Sequence, residues 1–294
     1  MEKFLELFIS GIMLGSLYSL IAIGIVLVYK STHVVSLAHG GIMALSALFL
    51  AIIIKAWGLP LGLSLAIGIA FGALLGYLID RGAMQPLIGQ PLMSAFLVTV
   101  AVYEVIYGIF EIVIHGRTAS FPPFLPRGLI ELGGIGINKM RLASFVIALA
   151  VFGGVWVFLR YSKLGLAMRA TAEDHRLAQS AGIHVKQIFS HVWVISGIVC
   201  VVAGILLGSI MDVHYSLADV AIIALAVALV GGLDSVPGAL AGGLLIGVLQ
   251  NFGGGYIDPI VGGGFADLTA YIVLLFILLI KPYGLFGEVR IERI

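Results

Sequence analysis

The amino-acid sequence predicts an all-α membrane protein: a polytopic transmembrane helical bundle of about eight to nine spans, some of them Gly/Pro-broken or re-entrant. Hydrophobic residues make up 61% of the 294 residues and charged residues only 11%, and the mean hydropathy is +1.17. Soluble domains carry about 25% charged residues, so a water-soluble globule of this composition would expose large apolar patches that aggregate. The composition therefore favours lipid as the solvent, with residues 1–294 forming a single transmembrane domain.

The predicted spans are apolar runs close to the roughly 20 residues that a helix needs to cross a bilayer, and shorter or broken runs are predicted half-spans. The first run, Phe4 to Tyr29, is about twice as long as the apolar part of a secretory signal and lacks a small-residue cleavage site. We therefore predict that it is a retained helix. In chain order, the predicted spans cover residues 4–29, 34–54, 61–79, 92–114, 142–159, 191–211, 218–234, 235–250 and 268–280.

Lysine and arginine indicate the orientation, because short cytoplasmic loops are enriched in them. Successive spans cross the membrane in alternating directions. If the loop at about 160–190 is cytoplasmic, then Lys30, Arg81 and the tail that begins at Lys281 are cytoplasmic too. The loop 115–141 is then external, although it holds four basic residues that oppose this orientation. The basic residues of the cytoplasmic loop are Arg160, Lys163, Arg169, Arg176 and Lys186.

The sequence lacks the motifs that several functions require. It has no G-x-x-x-x-G-K-[ST] loop for nucleotide phosphates and no G-x-S-x-G nucleophile. Its seven histidines lack the spacing of metal ligands. A formal charge of +1 disfavours nucleic acid as a partner. We therefore predict that the chain is not an enzyme and binds no cofactor or metal itself.

The predicted cytoplasmic loop contains an alanine-rich segment, 167–181, which favours a short helix, and Gly182 is well placed to end it. From spacing alone, two interpretations stay open. The segment is either a solvated loop helix, or a docking helix whose small residues admit another surface and whose charges fix its register.

Four segments resemble a known family. Residues 34–40 are similar to its Asn-Phe-Ala-His-Gly motif, residues 231–239 to its Gly-Gly-x-Gly-Ser-x-x-Gly-Ala motif, and residues 281–287 to its C-terminal signature, while 161–183 looks like its coupling loop. Ser36-Leu37 replaces Asn-Phe, and Asp234 replaces a glycine. The chain thus resembles the permease subunits of ABC transporters for branched-chain amino acids, of the high-affinity leucine, isoleucine and valine uptake type.

The resemblance implies an importer subunit in the bacterial inner membrane. Its implied partners are P-loop subunits that hydrolyse ATP, a second permease subunit (a related chain or a copy of this one), an external amino-acid-binding protein and membrane lipid. Other members of the family carry urea or short amides, so the resemblance does not decide which solute this chain carries. The residues that the resemblance assigns to coupling with the ATPase are Gly165, Ala167, Arg169, Ala170, Glu173, Asp174 and Gly182.

The Gly-interrupted segments 34–54 and 229–250 lie in opposite halves of the chain, and paired interruptions of this kind indicate a translocation path. Tight packing is the alternative, because Gly-x-x-x-Gly spacings such as Gly238-Gly242 and Gly243-Gly247 also let helices approach closely. His39 is open to the same two interpretations. The residues assigned to the path here are His39, Gly40, Gly231, Gly232 and Gly238.

Glu104 and Glu111 are seven residues apart in one predicted span and therefore share a helical face. A carboxylate near mid-membrane costs at least a few kcal/mol unless it faces a cavity or a partner, so both are assigned to the path. Snorkelling of Glu111 and a bond from Glu104 to a neighbouring helix are the alternatives. An ion-coupled secondary transporter that uses both glutamates is a second possible function. Four other carboxylates are predicted to be solvated loop residues: Asp212, Asp219, Asp258 and Asp267.

Overall fold

The structure is a computed structural model that describes residues 1–132 and 134–287. Its helices follow the predicted apolar runs in order. They are α1 (Glu2–Thr32), α2 (Ala38–Trp57), α3 (Leu61–Ile79), α4 (Leu92–Ile114), α5 (Lys139–Tyr161), α6 (Lys163–Glu173), α7 (His175–Ser180), α8 (Val185–Met211), α9 (Val220–Gly231), α10 (Val236–Phe252), α11 (Asp258–Val261) and α12 (Phe265–Ile280). Short π-helical turns, Asp80–Met84 and Gly253–Ile257, extend α3 and α10.

Among the described residues, seven helical segments are long and apolar enough to cross a membrane. Two shorter apolar segments, Tyr215–Gly231 and Phe265–Ile280, bring the number of apolar helical segments to nine. The predicted all-α membrane bundle is therefore confirmed, while the count of eight to nine spans stays a prediction.

Helix α1 lies at the centre of the bundle and is buried along most of its length. Gly11 and Gly15 of α1 face Gly243 and Gly247 of α10, and a Cβ built on Gly15 would overlap the carbonyl oxygen of Gly243. Ser19 Oγ, one turn further along α1, donates a hydrogen bond of 3.3 Å to the Leu240 carbonyl oxygen. Small residues at these positions let the two backbones touch, so the Gly243-Gly247 spacing serves packing.

One end of the bundle, called the basic end below, brings together segments that are remote in sequence. Lys30 Nζ, near the end of α1, donates to the Asp234 carbonyl oxygen at 3.2 Å. Gln85 Nε2, after α3, lies 3.0 Å from Ser190 Oγ, in the second turn of α8. The Leu285 amide donates to the Val230 carbonyl oxygen at 2.8 Å. These contacts agree with the predicted grouping of segments 30, 81, 160–190 and 281–287, while their cytoplasmic location stays a prediction.

The opposite end, called the hairpin end, carries a feature that the sequence interpretation missed. Strands β1 (Leu129–Leu132) and β2 (Ile135–Asn138) pair antiparallel within the predicted external loop 115–141, for which no strand was predicted. Asn138 then caps α5, because its side chain accepts from the Met140 amide at 2.9 Å. Ala119, earlier in the loop, forms a β-bridge with Val213.

The predicted single helix 167–181 is wrong in detail. Helix α6 begins earlier, at Lys163, where Ser162 Oγ accepts from the Gly165 amide at 3.0 Å. It ends before Asp174, whose backbone is extended, with φ −154° and ψ 117°. The Asp174 carboxylate accepts from the Leu177 amide at 3.0 Å. This local bond competes with helix continuation, so α7 begins separately. Gly182 follows α7 with φ +84°, as expected for a glycine that ends a helix.

We predict that Gly15→Ala lowers the free energy of unfolding by roughly 1–3 kcal/mol, because the added methyl group meets rigid backbone. Gly62→Ala is the matched control, since the structure shows nothing within 4 Å of a Cβ at Gly62 in helix α3. Thermal unfolding of both purified variants in mild detergent makes the comparison. Equal unfolding temperatures for the two variants would contradict the α1–α10 contact.

Candidate functional site

Helix α6 folds back onto the end of α5. A Cβ on Gly165 would overlap the Leu159 carbonyl oxygen, and Arg169 Nη1 donates to that same oxygen at 2.7 Å. Arg169 Nη2 reaches the Arg160 carbonyl oxygen at 3.5 Å. Two of the residues assigned to coupling, Gly165 and Arg169, therefore hold α6 against α5 inside this chain.

The remaining residues assigned to coupling differ in exposure. Ala167 and Ala170 are half-buried, while Glu173, Asp174 and Gly182 are exposed. Sequence reasoning overlooked two leucines in the same segment, Leu166 and Leu177, which are 62% and 68% exposed. Exposed large apolar side chains on two short helices outside the candidate spans are candidates for contact with another protein. Their position in the segment 161–183, which resembles a coupling loop, was the signal that could have identified them.

His39 is fully buried in the first turn of α2. Its Nε2 atom lies 2.5 Å from Ser196 Oγ of α8, and its Nδ1 atom lies 3.1 Å from Ser36 Oγ. Ser196 Oγ also contacts the Gly24 carbonyl oxygen of α1 at 3.2 Å. The His39 ring stacks 5.6 Å from the Trp193 ring. These contacts favour the packing interpretation, in which His39 joins three helices.

Gly231, Gly232 and Gly238 lie at the turn between α9 and α10. A Cβ on either Gly231 or Gly238 would overlap the carbonyl oxygen of the other. Gly232 has φ +103°, a conformation that favours glycine. The Phe286 amide donates to the Gly231 carbonyl oxygen at 3.0 Å, so the motifs 231–239 and 281–287 lie against each other. These glycines make close backbone contacts, and their role in a path stays a prediction.

Gly40 makes a similarly close contact at the start of α9. A Cβ on Gly40 would come within 2.6 Å of the Ala218 carbonyl oxygen and 3.3 Å of the Tyr103 ring. Gly40 therefore allows the chain that precedes α9 to lie against α2 and α4.

The segment before α9 is partly buried: Leu217 and Ala218 are buried, whereas Tyr215 and Asp219 are exposed. Helix α9 itself has only 12 residues and rises about 18 Å, and a short helical turn, Tyr215–Leu217, precedes it. Tyr103, the central residue of the 23-residue helix α4, donates its hydroxyl hydrogen to Asp219 Oδ1 at 3.3 Å. Asp219 therefore contacts the middle of a candidate span while its own side chain is exposed, and its assignment to solvated loop residues stays a prediction.

The exposed face of α4 continues this polar surface. Glu104 is exposed and Glu111 is half-buried, and the rings of Tyr103 and Tyr107 stack 5.9 Å apart. The opposite face of α4 packs on α2, where Ile106 meets Gly41. Exposed carboxylates near mid-membrane are costly against lipid. We call the face formed by Tyr103, Glu104, Tyr107, Glu111 and Asp219 the acidic face; its polarity fits contact with a partner or with water.

Comparison with known proteins identifies the family. Residues 7–281 match the family described as the permease component of the branched-chain amino acid transport system. The chain belongs to this family. Together with the seven candidate spans, membership makes the chain a multi-pass permease of the cell membrane, which is the inner membrane in bacteria.

Relatives cover nearly the whole chain. The high-affinity branched-chain amino acid transport system permease protein BraD of Pseudomonas aeruginosa is 30% identical over 313 residues, which span 99% of this chain and 98% of the relative. The probable branched-chain amino acid transport permease protein LivH of Methanocaldococcus jannaschii is 31% identical, with 94% and 90% covered. Among solved structures, PsaBC from Streptococcus pneumoniae in complex with Fab is similar in fold, with TM-score 0.50, 16% identity and coverage of 97% and 94%.

We predict that His39→Ala lowers the free energy of unfolding by about 1–3 kcal/mol, because Ser36 and Ser196 lose a buried hydrogen-bond partner. His191→Ala, at an exposed position of α8, is the control and leaves stability nearly unchanged. Thermal unfolding and solute uptake are measured together. A His39→Ala protein of full stability that no longer transports would make His39 a contact of the path instead.

Proposed function

We propose that the chain is the membrane-spanning permease subunit of an ATP-driven importer for branched-chain amino acids. The observation that carries the substrate assignment is similarity over nearly the full length to permeases named for branched-chain amino acid transport. The sequence has no phosphate-binding loop, so ATP hydrolysis belongs to P-loop partner subunits. This chain is then a transporter subunit and not an enzyme.

The ATPase partner docks on α6 and α7 at the basic end, which faces the cytoplasm. The exposed Leu166 and Leu177 supply apolar contact, and Glu173 supplies charge. Because Gly165 and Arg169 fasten α6 to the Leu159 carbonyl group, a displacement of α6 carries the end of α5 with it. Alternating access follows when the spans tilt as packed units.

The translocation path runs along the acidic face, between this chain and a second permease subunit, which is a related chain or a copy. A water-filled path removes the cost of holding the Glu104 and Asp219 carboxylates at membrane depth. Branched-chain amino acids carry an ammonium group, for which Asp219 and the Tyr103 hydroxyl offer oxygen acceptors. An external binding protein delivers the solute at the hairpin end.

Uptake by cells tests the substrate assignment. Deletion of this chain is expected to abolish high-affinity uptake of radiolabelled leucine, and restoring the chain returns it. Unlabelled isoleucine and valine compete with leucine, whereas urea and acetamide do not. Competition by urea or acetamide alone would assign the permease to short amides.

The energy source is tested separately, because Glu104 and Asp219 are also placed where an ion-coupled transporter would bind a cation. The purified chain alone in proteoliposomes is expected to show no uphill leucine transport under a proton gradient. Affinity purification from native membranes recovers a P-loop ATPase. Gradient-driven uptake by the chain alone would establish the ion-coupled function.

We predict that Leu166→Glu weakens association with the ATPase on the order of 30-fold, as expected when an interface loses about 2 kcal/mol. Leu129→Glu is the control, because Leu129 in β1 at the hairpin end has nearly the same exposure, 63% against 62%. Recovery of the ATPase with each purified variant is measured. Equal recovery of the ATPase with both variants would show that α6 is not part of the interface with the ATPase.

We also predict that Asp219→Asn raises the apparent KM for leucine uptake by roughly 10- to 100-fold, because a hydrogen bond to a charged group contributes about 1.5–3 kcal/mol. Asp212→Asn is the control, since Asp212 is an exposed carboxylate that precedes the bridge residue Val213. Uptake is compared at equal protein levels in the membrane. Unchanged uptake kinetics in Asp219→Asn would show that the translocation path does not run along the acidic face.

A further inference from the structure

A cavity of about 270 Å³ lies at the basic end, apart from the acidic face. Its walls come from the end of α1, the end of α5, helix α6 and the turn before α10. The residues that matter for its chemistry are Lys30, Trp156, Arg160, Arg169, Asp234 and Phe286. The cavity is smaller than the roughly 300–1,000 Å³ of pockets that enclose a drug-sized ligand, so it suits a small polar group.

The cavity is positively charged. Lys30, Arg160 and Arg169 supply three cations, and Asp234 is the one carboxylate among the residues that line it. Lys30 and Arg169 donate hydrogen bonds to backbone carbonyl oxygens, at 3.2 Å and 2.7 Å, which leave their charges unneutralised. The Arg160 guanidinium lies 5.3 Å from the centre of the Trp156 ring. Several N–H groups of these side chains stay available to an anion.

The cavity lies at the level of the membrane interface. Trp156 and Tyr161 belong to the last turns of α5, and tryptophan and tyrosine are enriched where a span meets the headgroups. Arg160 also lies 5.7 Å from the centre of the Tyr161 ring. Next to Trp156, Val157 and Phe158 are 47% and 45% exposed and offer an apolar surface to lipid chains.

We propose that this cavity binds the phosphate headgroup of an anionic phospholipid from the leaflet at the basic end. Lys30, Arg160 and Arg169 donate hydrogen bonds to the phosphate, and the acyl chains lie along Val157 and Phe158. Basic pockets between spans at this interface suit anionic headgroups. The inference does not depend on which solute the permease carries.

The headgroup lies between two parts of the bundle that are remote in sequence. Gly165 and Met168 of α6 form one wall, and Ser235 and Pro237 at the start of α10 form another. A bound phosphate therefore joins α6 to the turn between α9 and α10.

Lipid binding is tested with the full chain in detergent, by native mass spectrometry during titration with dioleoylphosphatidylglycerol or dioleoylphosphatidylcholine. The anionic lipid is expected to bind more tightly. The double variant Lys30→Gln/Arg160→Gln weakens its binding by roughly 30-fold, about fivefold for each charge. The control Lys139→Gln/Arg141→Gln removes the same number of charges at the opposite end of α5 and leaves binding unchanged.

The charge-conserving variant Lys30→Arg/Arg160→Lys separates loss of charge from loss of folding, because it is expected to retain binding. Gel filtration checks that each variant is folded. If the double variant does not fold, the single variant Arg160→Gln is the test, and it is expected to weaken lipid binding about fivefold. Equal binding of the two lipids by the wild-type chain overturns the proposal. So does an unchanged affinity in the variants that lack the charges.

Two other occupants are distinguished by further titrations. Excess inorganic phosphate that displaces the anionic lipid completely would assign the cavity to a free phosphate instead. Residues 288–294 follow directly after the lining residue Phe286 and Gly287. Selective lipid binding that appears only after removal of 288–294 would show that this tail is the occupant, and would also overturn the proposal.

Discussion

The contact between α1 and α10 is the constraint on which the rest of the bundle depends. In lipid, burial of apolar side chains adds little to helix association, so backbones that touch and form interhelical hydrogen bonds take over that role. Gly15 and Gly243 permit this contact, and Ser19 adds a bond to the Leu240 carbonyl oxygen. With α1 fixed at the centre, Ser196 of α8 bonds to its Gly24 carbonyl group, and Lys30 at its end bonds to the turn before α10.

The same arrangement explains how a short helix and a carboxylate lie inside a membrane protein. Helix α9 begins beside the middle of α4, where Gly40 leaves room for the preceding chain and Tyr103 donates to Asp219. Non-helical backbone at that depth is tolerated where protein or water surrounds it. The close packing of α2 on the chain before α9 thus places polar groups beside the middle of a candidate span.

The spans were predictable because the length and polarity of an apolar run reflect the thickness of the bilayer, a property of each segment alone. The contact between Asp219 and Tyr103 was not predictable, since the two residues lie on different segments, 116 positions apart in sequence. Likewise, Asp174 could have continued a helix or capped the next one, and the hydrogen bond that its carboxylate accepts from the Leu177 amide favours the cap. From the sequence alone, His39 could serve either helix packing or the translocation path. Its hydrogen-bond partner Ser196 lies on a different helix, which favours packing.

The bridge between Ala119 and Val213 has a mechanical consequence. These residues exchange two backbone hydrogen bonds, of 2.9 Å and 2.7 Å, so the loop that follows α4 is tied to the chain that follows α8. Val213 is six positions before Asp219. A partner that displaces the loop after α4 from the hairpin end would therefore also pull on the chain that leads directly into α9.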